Sequence, residues 1–144
     1  MRIEYRSFHG PTDWEWINSH LPIMQVEDTS GIIAVDLDTE ERVGALVLDN
    51  WTNNSVQGHF LITSAMVLKH GFLELCSDYI FNASDKKVLY AFIPSDNKKA
   101  IKLDTHIGFT EVFRMKDGFA DGVDYVVMQL LKENCVCLPK QEVA

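Results

Sequence analysis

Cysteine is scarce in this sequence, and its spacing builds no disulfide framework. The three cysteines are Cys76, Cys135 and Cys137, an odd number that indicates a reducing, cytoplasmic compartment. The last two form a C-x-C pair, but two ligands do not complete a structural zinc site, which needs four. We therefore expect neither disulfides nor a bound metal ion.

Long apolar runs and an excess of positive charge are also missing. No stretch approaches the roughly 20 apolar residues of a membrane-spanning helix, and the first ten residues lack the apolar core of a signal peptide. Lys and Arg number 13 against 21 Asp and Glu, which leaves a net charge of −8. A negative surface repels phosphates, so we expect no membrane and no nucleic acid among the partners.

The sequence contains no internal repeat and no G-x-S-x-G, H-E-x-x-H or Walker motif. It therefore lacks the signatures of α/β-hydrolases, zinc proteases and P-loop nucleotide-binding proteins. What is present is the composition of a globular domain, because 47% of the residues are hydrophobic and 24% are charged. We expect a single domain over residues 1–132 and an irregular C-terminal tail over residues 133–144.

The apolar pattern predicts an alternation of strands and helices. Alternating or dense apolar runs predict seven strands, over residues 2–8, 31–37, 42–51, 56–63, 87–93, 109–115 and 124–131. Three- and four-residue apolar spacing predicts helices after an N-cap at Thr12, over residues 71–82 and over residues 97–107. The order β-α-β-β-β-α-β-α-β-β predicts an α/β (α+β) fold, with a mixed, mostly antiparallel sheet of six to seven strands flanked by helices.

The most informative motif joins the third predicted helix to the strands after it. The pattern N-x-x-A-x-x-L, followed by G-F and a glutamate and later by D-x-x-x-M, is carried by Asn97, Ala100, Leu103, Gly108, Phe109, Glu111, Asp124 and Met128. In this element order it resembles the GCN5-related N-acetyltransferase (GNAT) superfamily, and the compact chain is similar to bacteriophage-encoded members. The resemblance implies a GNAT fold, acetyl-CoA as cosubstrate, and acetyl transfer to a primary amine of a small molecule or protein by a monomer or homodimer.

The same resemblance implies where acetyl-CoA binds. In the family the pantetheine arm lies between two strands that splay apart, and backbone N–H groups at the end of the fourth strand polarise the thioester. A glycine-containing loop Q/R-x-x-G-x-G/A grips the pyrophosphate, and here Leu68 and Leu73 occupy its first and last positions. The residues expected to bind acetyl-CoA are Leu61, Ile62, Thr63, Lys69, His70, Gly71, Phe72, Asn97 and Ala100.

Two titratable residues are candidates for proton transfer. His59 lies on the fourth strand and has the intrinsic pKa of a general base for an amine; a water molecule as base, or a structural half-buried histidine, are the alternatives. Asp104 stands where many GNAT proteins have a tyrosine that protonates the CoA thiolate. At its ordinary pKa a carboxyl group is ionised at neutral pH, so we expect Asp104 not to donate a proton.

A second hypothesis belongs to a different functional class. The departures at Leu68, Leu73 and Asp104 would also fit a catalytically degenerate GNAT-fold module that binds a partner. Binding of acetyl-CoA discriminates between the two hypotheses, because only the enzyme requires it.

Overall fold

A seven-stranded sheet runs through the protein, whose computed structural model describes residues 1–140. The strands are β1 (Ile3–Ser7), β2 (Ser30–Asp36), β3 (Glu41–Asp49), β4 (Ser55–Ile62), β5 (Val88–Pro94), β6 (Thr110–Ala120) and β7 (Val123–Leu131). Their order in the sheet is β1-β2-β3-β4-β5-β7-β6, and all neighbours are antiparallel except β4 and β5. The mixed, mostly antiparallel fold class predicted from the sequence is confirmed. The main difference is β6, which continues past residue 115 through an irregular hairpin end.

Within residues 1–140, three α-helices flank the sheet: α1 (Gly10–Asn18), α2 (Phe72–Ser77) and α3 (Lys98–Ile107). The prediction that Thr12 caps α1 is wrong, because the helix begins earlier and its N-cap is His9. The Asp13 carboxylate accepts a hydrogen bond from the backbone N–H of His9 at 2.6 Å. Asp13 therefore satisfies a donor at the start of the helix and allows α1 to begin before Thr12.

The segment around α2 is less regular than its apolar pattern predicts. A 3₁₀ turn over Ala65–His70 precedes α2, and a π-helical turn over Asp78–Ala83 extends it. Gly71 joins the 3₁₀ turn to α2 with φ of +79°, a left-handed conformation that favours glycine. The predicted helix over residues 71–82 is thus present, but its second half is widened.

Two apolar clusters cover the two faces of the sheet. The larger cluster lies on the face covered by α2 and α3, and it includes buried residues of β2, β3, β4, β5 and β7. The smaller cluster lies on the opposite face, called here the α1 face, where Ile17 of α1 packs against Ile33, Ala45, Val47 and Leu61. Within residues 1–140, the smaller cluster therefore reaches β2, β3 and β4 but does not extend to β5, β7 or β6.

A buried ionic cluster fixes α1 to the sheet. The side chain of Asp13 is fully buried and contacts Arg6 of β1 at 2.6 and 3.0 Å and Arg42 of β3 at 2.7 Å. Burial by itself raises the pKa of Asp13, but the hydrogen bonds from Arg6, His9 and Arg42 outweigh it and hold the pKa far below its usual range. Asp13 is therefore a permanent buried anion that links three elements.

After β7 the chain forms a 3₁₀ turn over Lys132–Asn134. Cys135, Cys137 and Leu138 then pack against the larger cluster, and the N–H of Val136 donates to the carbonyl of Ile107 at 2.9 Å. The boundary expected at residue 132 stays a prediction. The last four residues of the expected irregular tail, 141–144, lie outside the described part of the chain.

Candidate active site

The sheet opens between β4 and β5. These parallel strands pair only at Ser55–Val88, Val56–Leu89 and Gln57–Tyr90. Beyond that point β4 stays paired with β3 as far as Ile62, while β5 stays paired with β7 as far as Pro94. Since each strand follows its own antiparallel neighbour, the two diverge and leave a V-shaped gap.

Backbone groups of β4 face this gap. The carbonyl of Asn54 accepts hydrogen bonds from the N–H groups of Lys87 and Val88 at the start of β5. Alternate residues of a strand direct their backbone groups toward the same neighbour. Following this alternation from Asn54, the backbone groups of Phe60 and Ile62 point toward β5, where no strand is close enough to pair with them.

The predicted residues Leu61, Ile62 and Thr63 therefore differ in their placement. The N–H of Thr63 donates to the carbonyl of Val43 in β3 at 3.1 Å, and Leu61 shares that orientation. The Leu61 side chain is buried in the smaller cluster. Only Ile62 of the three directs its backbone into the gap, and sequence reasoning missed Phe60 because the direction of each N–H depends on the register.

The predicted pyrophosphate loop follows β4 directly. Lys69 and His70 are exposed, and the carbonyl of His70 accepts a hydrogen bond from the Tyr5 hydroxyl at 2.6 Å. The Phe72 side chain is fully buried and stacks on Tyr5, so Phe72 could contact a ligand only through its backbone. A Cβ atom placed on Gly71 would meet no atom within 4 Å, which leaves open space beside the loop.

Helix α3 begins beyond the tip of β5. Asn97 is its N-cap, and the Asn97 Oδ1 accepts a hydrogen bond from the N–H of Ala100 at 3.2 Å. The Asn97 Nδ2 donates to no protein atom within residues 1–140. Ala100 is half-buried against the larger cluster, so this small residue keeps the first turn of α3 close to the sheet.

His59 lies on the α1 face of β4, beside a carboxylate that sequence reasoning did not identify. Its Nε2 is 3.5 Å from Oδ2 of Asp49 on β3, and each side chain is 14% exposed. Burial lowers the pKa of His59, although the Asp49 charge opposes this. Burial also raises the pKa of Asp49, with His59 opposing. His59 is therefore a neutral imidazole at neutral pH, able to accept a proton.

Asp104 differs from its sequence-based expectation. The residue is 3% exposed and lies on the buried side of α3 with Ile107. Burial raises the pKa of Asp104 to about 7, so a large fraction of the side chain is protonated at neutral pH. The assumption of an ordinary pKa is wrong, because the helical spacing from Ala100 to Asp104 and Ile107 directs this carboxyl toward the core.

An aromatic stripe crosses the part of the α1 face that lies beyond the smaller cluster. The rings of Tyr90 and Phe92 on β5 are 6.2 Å apart, and Phe92 meets Tyr125 of β7 edge to face at 5.4 Å. Tyr90 is opposite Gln57 in the parallel register, so the stripe begins across the gap from His59. Such rings provide the apolar and cation-attracting surface on which an alkyl ammonium group can lie.

The segment between α1 and β2 borders the same face. Residues 22–25 and 29–31 line two open surface depressions, of about 530 and 570 Å³. Asp28 of this segment accepts a hydrogen bond from the N–H of Trp51 at 2.9 Å, and its charge contributes to the raised pKa of Asp49. The segment thus brings a second carboxylate near Asp49.

No helix within residues 1–140 is long and apolar enough to cross a membrane. Over the same range, no group of three or more His, Cys, Asp or Glu side chains is arranged to hold a metal ion.

The chain was compared with known proteins at the levels of sequence and structure. No family model and no curated protein sequence matches it. Solved structures do match. One is the spermidine N-acetyltransferase from Vibrio cholerae in complex with CoA and spermine, with a TM-score of 0.73 and 14% sequence identity. The match covers 92% of this chain and 96% of that chain. The spermidine/spermine N-acetyltransferase SpeG from Vibrio cholerae in complex with manganese ions has a TM-score of 0.74 at 14% identity, covering 91% and 93%. The chain therefore has the GNAT fold of these N-acetyltransferases over nearly its whole length.

Proposed function

We propose that this protein is an acetyl-CoA-dependent N-acetyltransferase whose acceptor is a primary amine of a small polyamine. The observation that carries the proposal is the gap between β4 and β5. On one side are unpaired backbone groups of β4, and on the other is α3, capped by Asn97. Similarity to solved N-acetyltransferases over more than nine-tenths of the chain supports this assignment.

The gap between β4 and β5 offers a binding place for acetyl-CoA, the acetyl donor. An extended pantetheine arm carries amide groups, which can pair with the backbone of Phe60 and Ile62 as a missing strand would. The free amide of Asn97 is a further donor beside the arm. The N–H groups that follow Gly71 and the charge of Lys69 would meet the pyrophosphate, since backbone donors and a cation both favour an anion.

The chemistry requires one proton acceptor and one proton donor. A neutral amine nitrogen attacks the thioester carbonyl carbon, a C–N bond forms, and the C–S bond breaks to release the CoA thiolate. His59 accepts the proton that the amine nitrogen loses. The CoA thiolate takes up a proton from solvent, because the Asp104 carboxyl, which occupies the family position of the tyrosine acid, is 3% exposed and directed toward the core.

Negative charge and the aromatic stripe on the α1 face support a polyamine as the acceptor. Asp49 places negative charge beside His59, and Asp28 adds negative charge near Asp49. The net charge of −8 attracts cations over longer distances. Tyr90 and Phe92 offer aromatic faces across the gap. A chain of methylene groups with several ammonium groups fits carboxylates and aromatic rings together, and spermine occupies one of the matching structures.

Calorimetric titration with acetyl-CoA, and with CoA as second ligand, tests the donor site. We expect one-to-one binding in the micromolar range. In Gly71→Glu the affinity should fall at least about tenfold, since the added carboxylate repels the pyrophosphate. Gly71→Gln is the matched control, because it has the same shape and the same left-handed strain without the charge. Equal affinities in the two variants would contradict the loop assignment.

Acceptors are then screened by mass spectrometry of the acetylated product. Spermidine and spermine should be acetylated faster than butylamine, which carries a single ammonium group. No binding of acetyl-CoA at millimolar concentration would refute the enzyme proposal and leave the non-catalytic, partner-binding module.

A further inference from the structure

A half-buried carboxylate, that of Asp49 on β3, lies next to the proposed base on β4. We propose that Asp49 is a positioning residue for His59: its carboxylate holds the proton on Nε2, so that Nδ1 of His59 presents a lone pair to the amine. This inference rests on the proposed function, and it names a residue that no sequence motif singles out.

The β3–β4 register creates the contact. Asp49 is opposite Gln57, and Val47 is opposite His59. Because side chains alternate between the faces of a strand, Asp49, Val47, Gln57 and His59 all lie on the α1 face. Asp49 and His59 are diagonal neighbours there, a separation that long side chains can span. The observed Nε2–Oδ2 distance is 3.5 Å.

The geometry determines which nitrogen is free. An ionised carboxylate only accepts hydrogen bonds, so the proposal places the hydrogen on the ring nitrogen that faces Asp49. That nitrogen is Nε2, and Nδ1 has no hydrogen-bond partner within residues 1–140. When the amine attacks, its N–H bond breaks and an Nδ1–H bond forms. His59 becomes an imidazolium, Asp49 remains ionised and stabilises it, and the proton then passes to solvent.

The burial of Asp49 suggests a role beyond packing. Its Oδ1 is sealed from solvent and receives no hydrogen bond from the described residues, an arrangement that costs stability. Asp28 is the other charged group that acts on Asp49, and it repels the carboxylate. A negative group kept in such a position gains a partner when His59 becomes positively charged, which happens during the reaction.

Histidine NMR and kinetics on the full chain test the inference. Wild type, Asp49→Asn, Asp49→Glu and Asp36→Asn are labelled with ¹⁵N-histidine, and His59→Gln assigns the His59 signals among the five histidines. Asp36→Asn is the matched control. Asp36 is more deeply buried than Asp49, at 6% exposure, and its Oδ1 accepts a hydrogen bond from the N–H of Asp38, a role that an asparagine oxygen can keep.

In the wild type we expect neutral His59 to carry its hydrogen on Nε2. In Asp49→Asn the pKa of His59 should fall further, because the opposing negative charge is lost. The acidic limb of the kcat profile should move to lower pH with it. kcat should drop about tenfold or more, whereas the KM for acetyl-CoA stays within a factor of two. Asp49→Glu should recover part of kcat, and Asp36→Asn should match the wild type.

Two results would overturn the positioning role while the proposed function stands: an Nδ1–H tautomer in the wild type, or an active Asp49→Asn variant whose His59 titration and pH profile match the wild type. A wild-type protein that binds no acetyl-CoA and acetylates no amine overturns both, and this is measured before any variant is made.

Discussion

Replacing Asp104 by asparagine should change how stability depends on pH. The pKa of this carboxyl is about 7 in the folded protein against 3.8 for the free side chain, because burial disfavours the ionised form. The folded state therefore binds the proton more tightly than the unfolded state. The contribution of Asp104 to stability is complete below pH 3.8, and it is lost as the pH rises to about 7.

The size of the effect follows from the two pKa values. Each pKa unit corresponds to about 1.4 kcal/mol, so ionisation of Asp104 removes roughly 4 kcal/mol over the whole range. Roughly half of this, about 2 kcal/mol, falls between pH 5.5 and pH 8. That interval avoids precipitation near the isoelectric point of about 5.0. Asparagine is neutral at every pH, so the Asp104→Asn variant does not lose this part of the free energy of unfolding as the pH rises.

Urea denaturation of the wild type and of Asp104→Asn at both pH values measures the difference. The wild type should lose about 2 kcal/mol relative to the variant between pH 5.5 and pH 8. Any constant cost of burying the asparagine amide lowers the variant's free energy of unfolding equally at both pH values, so it cancels in the difference between them. Parallel stability curves would refute the reasoning, since they would mean that Asp104 titrates alike in the folded and unfolded states. A ¹³C carboxyl titration of Asp104 gives an independent midpoint.

Two further substitutions test the packing described above. Asp13→Asn should destabilise the protein by about 3 kcal/mol at pH 7, because Arg6 and Arg42 lose their buried partner; the deficit measured by urea denaturation should shrink below pH 4, where the wild-type Asp13 loses its own advantage. Gly108→Ala should cost about 3 kcal/mol or more, since φ is +125° and the new Cβ would lie 2.1 Å from the carbonyl oxygen of Asn134. Gly122→Ala, also at positive φ but in open space, is its control and should cost about 1 kcal/mol; equal thermal midpoints for the two variants would contradict the predicted clash.

The sequence was sufficient to predict the sheet because its signals are local. Periodicity of two locates the strands, and six of the seven observed strands have bounds within two residues of those predicted. The cap of α3 was also local, since Asn97 and Ala100 are three residues apart. The start of α1 was not, because it depends on how the Asp13 carboxylate, fixed by Arg6 and Arg42, reaches back to His9.

The site depends more on distant contacts. The pairing of Asp49 with His59 depends on the β3–β4 register, and the hydrogen-bonding direction of Phe60 and Thr63 depends on the same register. Neither can be derived from composition or spacing. Asp104 combines a local signal with a distant one. Its helical spacing from Ala100 and Ile107 can be read in the sequence, but the rise of its pKa depends on burial against the packed sheet.

The three residue pairs between β4 and β5 also give the protein a mechanical asymmetry. On the face covered by α2 and α3, one continuous cluster joins both halves of the sheet. On the α1 face, the smaller cluster stops at β4. A force that widens the gap would therefore rotate the two halves of the sheet about a hinge on the face covered by α2 and α3. The stiffness of that hinge, set by buried side chains such as Phe81 and Leu89, would govern how wide a ligand the gap admits.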